Sequence, residues 1–299
     1  MSYGVRLLLF LTRLLPRDAA LRLGAGMGAA AWRLLPAQRR SVLRNLDTAY
    51  GDTMDHAGKM RIGRECFRHL GQALMECLLL PRLGKEGLDR VMVVEGQEVV
   101  EHLKQGGPAI FFSGHLGNFE YLGAYVGSHG FPVTTIVREN PHSQLGRLMF
   151  ELRSQWNLNP VHRDDRSTKQ IIQDSIAENR VLGILPDQDS RKVRGVFVPY
   201  FGTLAYTPSG PMALALRHHL PTYLLSTHRL PDNRHYLRFE GPLDLVDTGD
   251  FETDVTTNTA MLISRIEEKV RAHPEQWVWV HNRWRTRPPD ESRLEGGTP

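Results

Sequence analysis

The residues with chemistry to offer lie in one short stretch, residues 109 to 123, which reads Ala-Ile-Phe-Phe-Ser-Gly-His-Leu-Gly-Asn-Phe-Glu-Tyr-Leu-Gly. His115 and Glu120 sit five positions apart within it. An imidazole held by an ionised carboxylate is oriented and made more basic, which suits it to take a proton from an alcohol. Five positions along an unbroken helix would turn the two side chains roughly 140° apart, at about 3.6 residues per turn. The pair therefore needs a turn between its members, and Gly114 and Gly117 supply the freedom for one. The alternative is a structural histidine that caps a helix, with Glu120 left in water.

The elements that must hold this stretch follow from its pattern. Ala109–Phe112 is a short apolar run, as in a buried strand, and Asn118 is a good helix N-cap. That cap puts Glu120 in the first helical turn, where the positive end of the helix dipole favours a carboxylate. His115 is thus expected in the loop at the carboxyl end of a strand, where parallel α/β sheets present catalytic groups. Strand-like segments at 91–94, 133–137 and 181–185 alternate with helical ones at 97–104, 143–155 and 167–178. Strands at 222–227 and 235–239 extend the sheet, and a final amphipathic helix covers 254–272. The alternation predicts an α/β fold with a central, mostly parallel, mixed sheet flanked by helices. A core-facing helix at 56–80 carries Phe67, Leu70, Leu74, Cys77 and Leu78 at helical spacing, with Pro81 as its stop and Glu76 as a solvated or helix-face carboxylate.

With 299 residues, 41% of them hydrophobic, the chain can bury one large core with appendages. The expected division is an N-terminal membrane-associating helical segment at 1–45, an α/β domain at 46–287 and a disordered tail at 288–299. Arg6, Arg13, Arg17, Arg22, Arg33, Arg39, Arg40 and Arg44 face a single acid, Asp18, over the first 45 residues. That bias points to anionic headgroups or phosphates, against the alternative of a solvated face. The apolar runs at 7–11 and 23–32 fall short of the roughly 20 residues that span a bilayer. With Arg6 and Arg13 flanking the first, they read as an amphipathic or shallowly inserted anchor, or else as a helical hairpin packed on the domain. Cys66 and Cys77 fit no metal template and read as packed thiols. Arginines set among leucines rather than along one polar stripe argue against a nucleic-acid partner. The absence of a Gly-x-Ser-x-Gly elbow argues against a serine hydrolase.

A second signal is Leu185-Pro186-Asp187-Gln188-Asp189, an apolar strand end followed by two acids. Hard cations want several oxygen ligands and no further acidic cluster is evident, so no metal is assigned. Arg138 follows a strand at the same sheet end as His115, and Arg153 and Arg163 follow on the next helix and loop. Guanidinium groups there suit bidentate phosphate recognition, or surface ion pairs with neighbours such as Glu139 and Asp164. The run at 196–211 suits either the apolar wall of a groove or plain core. The aromatic and basic segment at 277–288 suits either a membrane interface or core.

Gly114-His-Leu-Gly-Asn-Phe-Glu120 resembles the His, any four, Asp or Glu motif of the glycerolipid acyltransferase superfamily. With Glu at the last position it is most similar to the lipid A biosynthesis (late, lauroyl or myristoyl) acyltransferase branch. Pro186-Asp187-Gln188-Asp189 resembles a Pro-Asp-x-Asp element of the same family, and the likeness extends over nearly the whole chain. The resemblance implies an enzyme at the cytoplasmic face of the inner membrane. It would move a fatty acyl chain from acyl carrier protein to a hydroxyl of a Kdo-bearing lipid A precursor, without a cofactor. It implies His115 as the base, Glu120 as the group that positions it, and direct attack of the alcohol on the thioester. Asp187 would lie near the histidine and orient an arginine or the acceptor sugar, so that Asp187, Asn118, Arg138, Arg153 and Arg163 would all serve substrate binding. The implied partners are acyl carrier protein, the lipid A precursor and an anionic membrane surface. A related acyltransferase on another glycolipid or lysophospholipid, and a non-catalytic lipid-binding protein, are the alternatives.

Overall fold

Ala109–Phe112 carries no polar residue, so it needs cover on both faces, and it takes the middle of a seven-stranded sheet. The computed structural model describes residues 15–96, 99–100, 106–137, 143–162 and 168–289. In chain order the strands of this sheet are β1 (Met92–Glu95), β2 (Ala109–Phe112), β3 (Val133–Val137), β4 (Leu158–His162), β5 (Val181–Ile184), β8 (Thr222–Arg229) and β9 (His235–Glu240). In space they run β1-β9-β8-β2-β5-β3-β4. All neighbours are parallel except β8 and β9, so the sheet is mixed and mostly parallel, as the sequence predicts. The pleat sends Ile110 and Phe112 into one core layer and Ala109 and Phe111 into the other.

Strand β4 is a departure from the sequence reading, which placed no strand there. Its Pro160 cannot donate to a ladder, a feature that argues against a strand, but β4 is the sheet edge and pairs only with β3. The run read as a groove wall or core is an antiparallel hairpin, β6 (Gly195–Tyr200) and β7 (Thr203–Pro208), and its Val198, Tyr200 and Phe201 join the core.

The helices are α1 (Arg17–Leu34), α2 (Pro36–Tyr50), α3 (His56–Val91), α4 (Phe119–Ser128), α5 (Gln144–Ser154), α6 (Thr168–Ala177), α7 (Gly210–Arg217) and α8 (Phe251–Ala272). Pro81 does not stop α3, as its sequence suggested; the helical backbone breaks at Gly84, with φ 64° and ψ 178°. The buried Leu78, Leu79 and Leu80 hold the helix through the proline, since packing outweighs one missing hydrogen bond. Most of the short helix expected at 97–104, and residues 290–299 of the expected tail, lie outside the described residues.

Helix α1 packs on α3 at van der Waals contact of the two backbones. A methyl group at Gly28 would stand 2.0 Å from the Phe67 carbonyl oxygen, and one at Gly71 would stand 2.1 Å from that of Gly24. Residues 17–50 therefore form a helical pair laid on the domain. Among the described residues no helix is long and apolar enough to cross a membrane. The first apolar run, at 7–11, lies outside them. Gly28→Val should force α1 off α3 at a cost of roughly 1–3 kcal/mol. The measurement is a urea midpoint together with faster proteolysis within residues 15–35; an unchanged midpoint would show that the contact is not tight.

Candidate active site

His115 stands three residues beyond the end of β2, and Asp187 three residues beyond the end of β5. The two strands are adjacent and parallel, with Phe112 beside Ile184. Equal offsets from a registered pair bring the two side chains together at the carboxyl edge of the sheet. The His115 Nδ1 lies 2.6 Å from Asp187 Oδ1. The other carboxylate oxygen accepts the His115 backbone N–H at 2.8 Å and the Trp277 Nε1–H at 2.8 Å. Asp187 has no exposed surface. Burial pushes its carboxyl up, but the adjacent His115 charge and these bonds outweigh burial and hold it down to about 2. The ionised carboxylate accepts a hydrogen bond from Nδ1–H, which leaves Nε2 with its lone pair. Nε2 has no hydrogen-bond partner among the described residues, and the side chain is 20% exposed. Such an imidazole can remove a proton from a bound alcohol.

The loop that carries His115 is held from several sides. Gly117 has φ +61°, and a Cβ there would lie 2.5 Å from the Thr227 carbonyl oxygen, so only glycine fits. Gly117 N–H donates to the Gln276 carbonyl, and Val278 N–H donates to that of His115. Trp277, Trp279 and Trp284 of this C-terminal segment are buried, which places them in the core rather than at an interface. The Phe119 ring meets the His115 ring edge-on, with 5.1 Å between centroids.

The sequence reading joined His115 to Glu120, and the structure does not. Glu120 does open a helix, α4, but its carboxylate faces the end of α5, where Arg153 holds it through Nε at 3.0 Å and Nη2 at 2.5 Å. No hydrogen bond or ion pair links it to His115 among the described residues. A turn is enough to bring the two residues near in the chain, but the first turn of α4 projects position 120 away from the β2 loop. Arg153, expected on a substrate phosphate, is thereby committed to Glu120 with only 11% of its side chain exposed. Asn118, also expected on substrate, is 2% exposed. Its Oδ1 caps Tyr121 N–H, and its Nδ2 donates to Glu76 at 2.8 Å. Arg138 and Arg163 lie outside the described residues.

Glu76 is the main correction to the reading of α3. The residue expected to be solvated or on a helix face is fully buried and gathers four side chains. Arg229 grips both of its oxygens at 2.7 and 2.6 Å; Arg17 at 2.8 Å and His235 at 2.9 Å share one of them, and Asn118 takes the other. Burial pushes this carboxyl up, yet His235 and Arg229 overcome that and hold it well below the usual carboxylate range. The one signal in the sequence was an acid inside the buried run Met75-Glu76-Cys77-Leu78. Arg229, His235 and Trp277 gave none, because each sits in an element whose local pattern is satisfied without them.

Asp189 turns away from Asp187 and takes Arg285 Nη2 at 3.1 Å and Thr286 N–H at 2.7 Å, which latches the C-terminal segment. The two acids of the Asp-x-Asp element thus serve different partners, and no cluster of three or more metal-binding side chains occurs among the described residues. Cys66 and Cys77 are buried and unpaired, and burial pushes the Cys66 thiol up to about 12.

Two measurements follow from these buried anions. Glu76→Gln leaves two guanidinium groups facing a neutral amide and should cost about 3–5 kcal/mol, read from the urea midpoint; a loss within experimental error would show the cluster is not desolvated. The Asp187 carboxyl is depressed from 3.8 to about 2, so it contributes stability that is present above pH ~4 and lost as pH falls through the folded value. Melting temperature against pH should therefore fall less steeply below pH ~4 in Asp187→Asn than in the native chain.

The chain resembles known proteins over nearly its whole length. Residues 2–286 match the model of the family described as bacterial lipid A biosynthesis acyltransferase. The chain is 26% identical over 282 residues to the lipid A biosynthesis lauroyltransferase of Escherichia coli strain K12, covering 94% of this chain and 90% of that protein. It is 24% identical to the palmitoleoyltransferase of the same organism, covering 94% and 89%. It is 25% identical over 296 residues to the phosphatidylinositol mannoside acyltransferase of Mycobacterium tuberculosis strain H37Rv, covering 90% and 91%.

Proposed function

The chain belongs to the bacterial lipid A biosynthesis acyltransferase family, and on that premise we propose that it moves a fatty acyl chain from acyl carrier protein to a hydroxyl of a Kdo-bearing lipid A precursor. It would do so at the cytoplasmic face of the inner membrane. The observation that carries the reading is the His115 ring fixed through Nδ1 on a buried, ionised Asp187, with Nε2 left open.

His115 Nε2 takes the proton of the acceptor hydroxyl as that oxygen attacks the thioester carbonyl. The tetrahedral adduct collapses with cleavage of the carbon–sulfur bond, and the departing thiolate takes the proton back from His115. Acyl group, proton and electron pairs balance, and no covalent enzyme intermediate is needed. Asp187 orients the ring and stabilises the imidazolium that forms between the two steps. Trp277 and the His115 backbone N–H keep Asp187 itself in place. Glu120 acts at one remove, since its bond to Arg153 ties the start of α4 to the end of α5 beside the loop.

A second reading has an observation in its favour. The mycobacterial relative is 25% identical over 90% of this chain, close to the 24–26% over 94% of the two lipid A enzymes. A glycolipid other than a lipid A precursor is therefore the alternative acceptor, with the same chemistry.

With both substrates supplied in detergent, His115→Ala should abolish transfer, and Asp187→Asn should lower kcat by roughly 10²–10⁴-fold, the usual range for a disabled general base. Glu120→Gln should cost less in kcat than Asp187→Asn and leave the pH profile of kcat unmoved. The reverse order would restore Glu120 as the direct partner of His115. Mass spectrometry of lipid A from cells with and without the protein separates the two acceptor readings.

A further inference from the structure

We propose that a cavity between α1, α2 and the first half of α3 binds the phosphate-bearing headgroup of an anionic membrane lipid. The cavity measures about 600 Å³, and none of its lining residues belongs to the His115 site. Four arginines reach it from three helices: Arg33 from α1, Arg39 from α2, and Arg64 and Arg68 from α3. The one acid in its wall, Glu65, is already paired with Arg68 at 3.1 Å. Among the described residues Arg33 and Arg64 make no ion pair, and Arg39 lies over the Trp32 ring at 5.9 Å. Like charges gathered without counter-charge repel, and a bound anion removes that cost. A guanidinium fork matches phosphate in shape as well as charge.

The same place is also apolar. Trp32 and Met60 line the cavity, and the outward face of α1 exposes Leu23, Met27 and Leu34 by 48%, 47% and 75%. At about 100° per residue these three fall on one narrow stripe, and Arg22 and Arg33 lie roughly 80–100° round the helix from Leu23, on the side of the cavity. Leucines in water beside unpaired arginines suit a bilayer interface, where the apolar stripe sinks between lipids and the arginines meet headgroups. A free anion would need the arginines but not the stripe. The assignment rests on the reading that the protein works at a lipid surface and says where that contact is made; it does not depend on the acceptor's identity.

The test is flotation of the full chain with vesicles of phosphatidylcholine alone and with phosphatidylglycerol added. R33Q/R39Q/R64Q should lower affinity for the anionic vesicles roughly tenfold or more, as expected for loss of three guanidinium contacts, and leave binding to neutral vesicles unchanged. R194Q/R234Q/R238Q removes the same charge elsewhere and should keep the native affinity. Unchanged circular dichroism melts establish that both triple variants fold. His115→Ala should float like the native chain, so a failure of the transfer chemistry leaves this result standing. Equal losses in the two triple variants, or none in either, overturn the cavity assignment. So does competition by millimolar inorganic phosphate that matches the vesicles, or a cavity variant that loses affinity for acyl carrier protein instead of for vesicles. A native chain that floats with neither vesicle overturns the lipid-surface reading and this site with it.

Discussion

A carboxylate with no access to water survives as an anion only if donors surround it, and Asp187 sets that condition for the whole sheet edge. Its donors come from the loop after β2 and from the segment after α8, ninety residues further along the chain. Those pieces must be in place together or the charge is stranded. The fold therefore cannot close without also orienting His115, so assembling the core and building the site are one event. The Trp277 indole does two jobs in this: its ring fills the core against Tyr200 and Trp279, and its N–H faces the buried charge.

A second buried anion, Glu76, fixes the other end of the same loop. Asn118 sits between the two systems, with one end of its amide on Glu76 and the other capping α4. The stretch from Ser113 to Asn118 is thus pinned by Asp187 at the histidine and by Glu76 at the helix start, with Gly117 pressed on β8 in between. Side chains held this way lose little further freedom when a substrate binds, which favours a precisely aimed base. Arg17 brings α1 into the same cluster, so the N-terminal helix is tied to the loop by a charge as well as by its glycine contact with α3.

The arginines divide by environment. Arg283 is fully buried and donates to the Tyr206 carbonyl and the Thr207 hydroxyl at 2.6 Å each, beneath the Tyr200 ring. Arg229 is spent on Glu76, and Arg153 on Glu120. These guanidinium groups stiffen the molecule. Arg33, Arg39 and Arg64 stand instead around an open cavity whose one acid, Glu65, is paired with Arg68, and they make no ion pair among the described residues; that contrast separates a structural role from a binding one.

Local patterns were enough for the alternation of strands and helices, the placement of His115 beyond a buried strand, the cap at Asn118 and the importance of Asp187. Each of these depends on neighbours within a few residues, where periodicity and capping chemistry act. The family membership was legible for the same reason, since its motifs are short and continuous. Partnership was not legible. His115 pairs with a residue 72 positions away because β2 and β5 happen to lie side by side in register, while Glu120, only five positions away, is turned by its helix toward Arg153. Glu76 looked solvated or helix-facing because helical spacing says which face a residue occupies, not that Arg229 and His235 wait on neighbouring strands to neutralise it. Chain neighbours determine which element forms; only the packed sheet decides which charges meet, because a buried charge must find its counterpart across the fold.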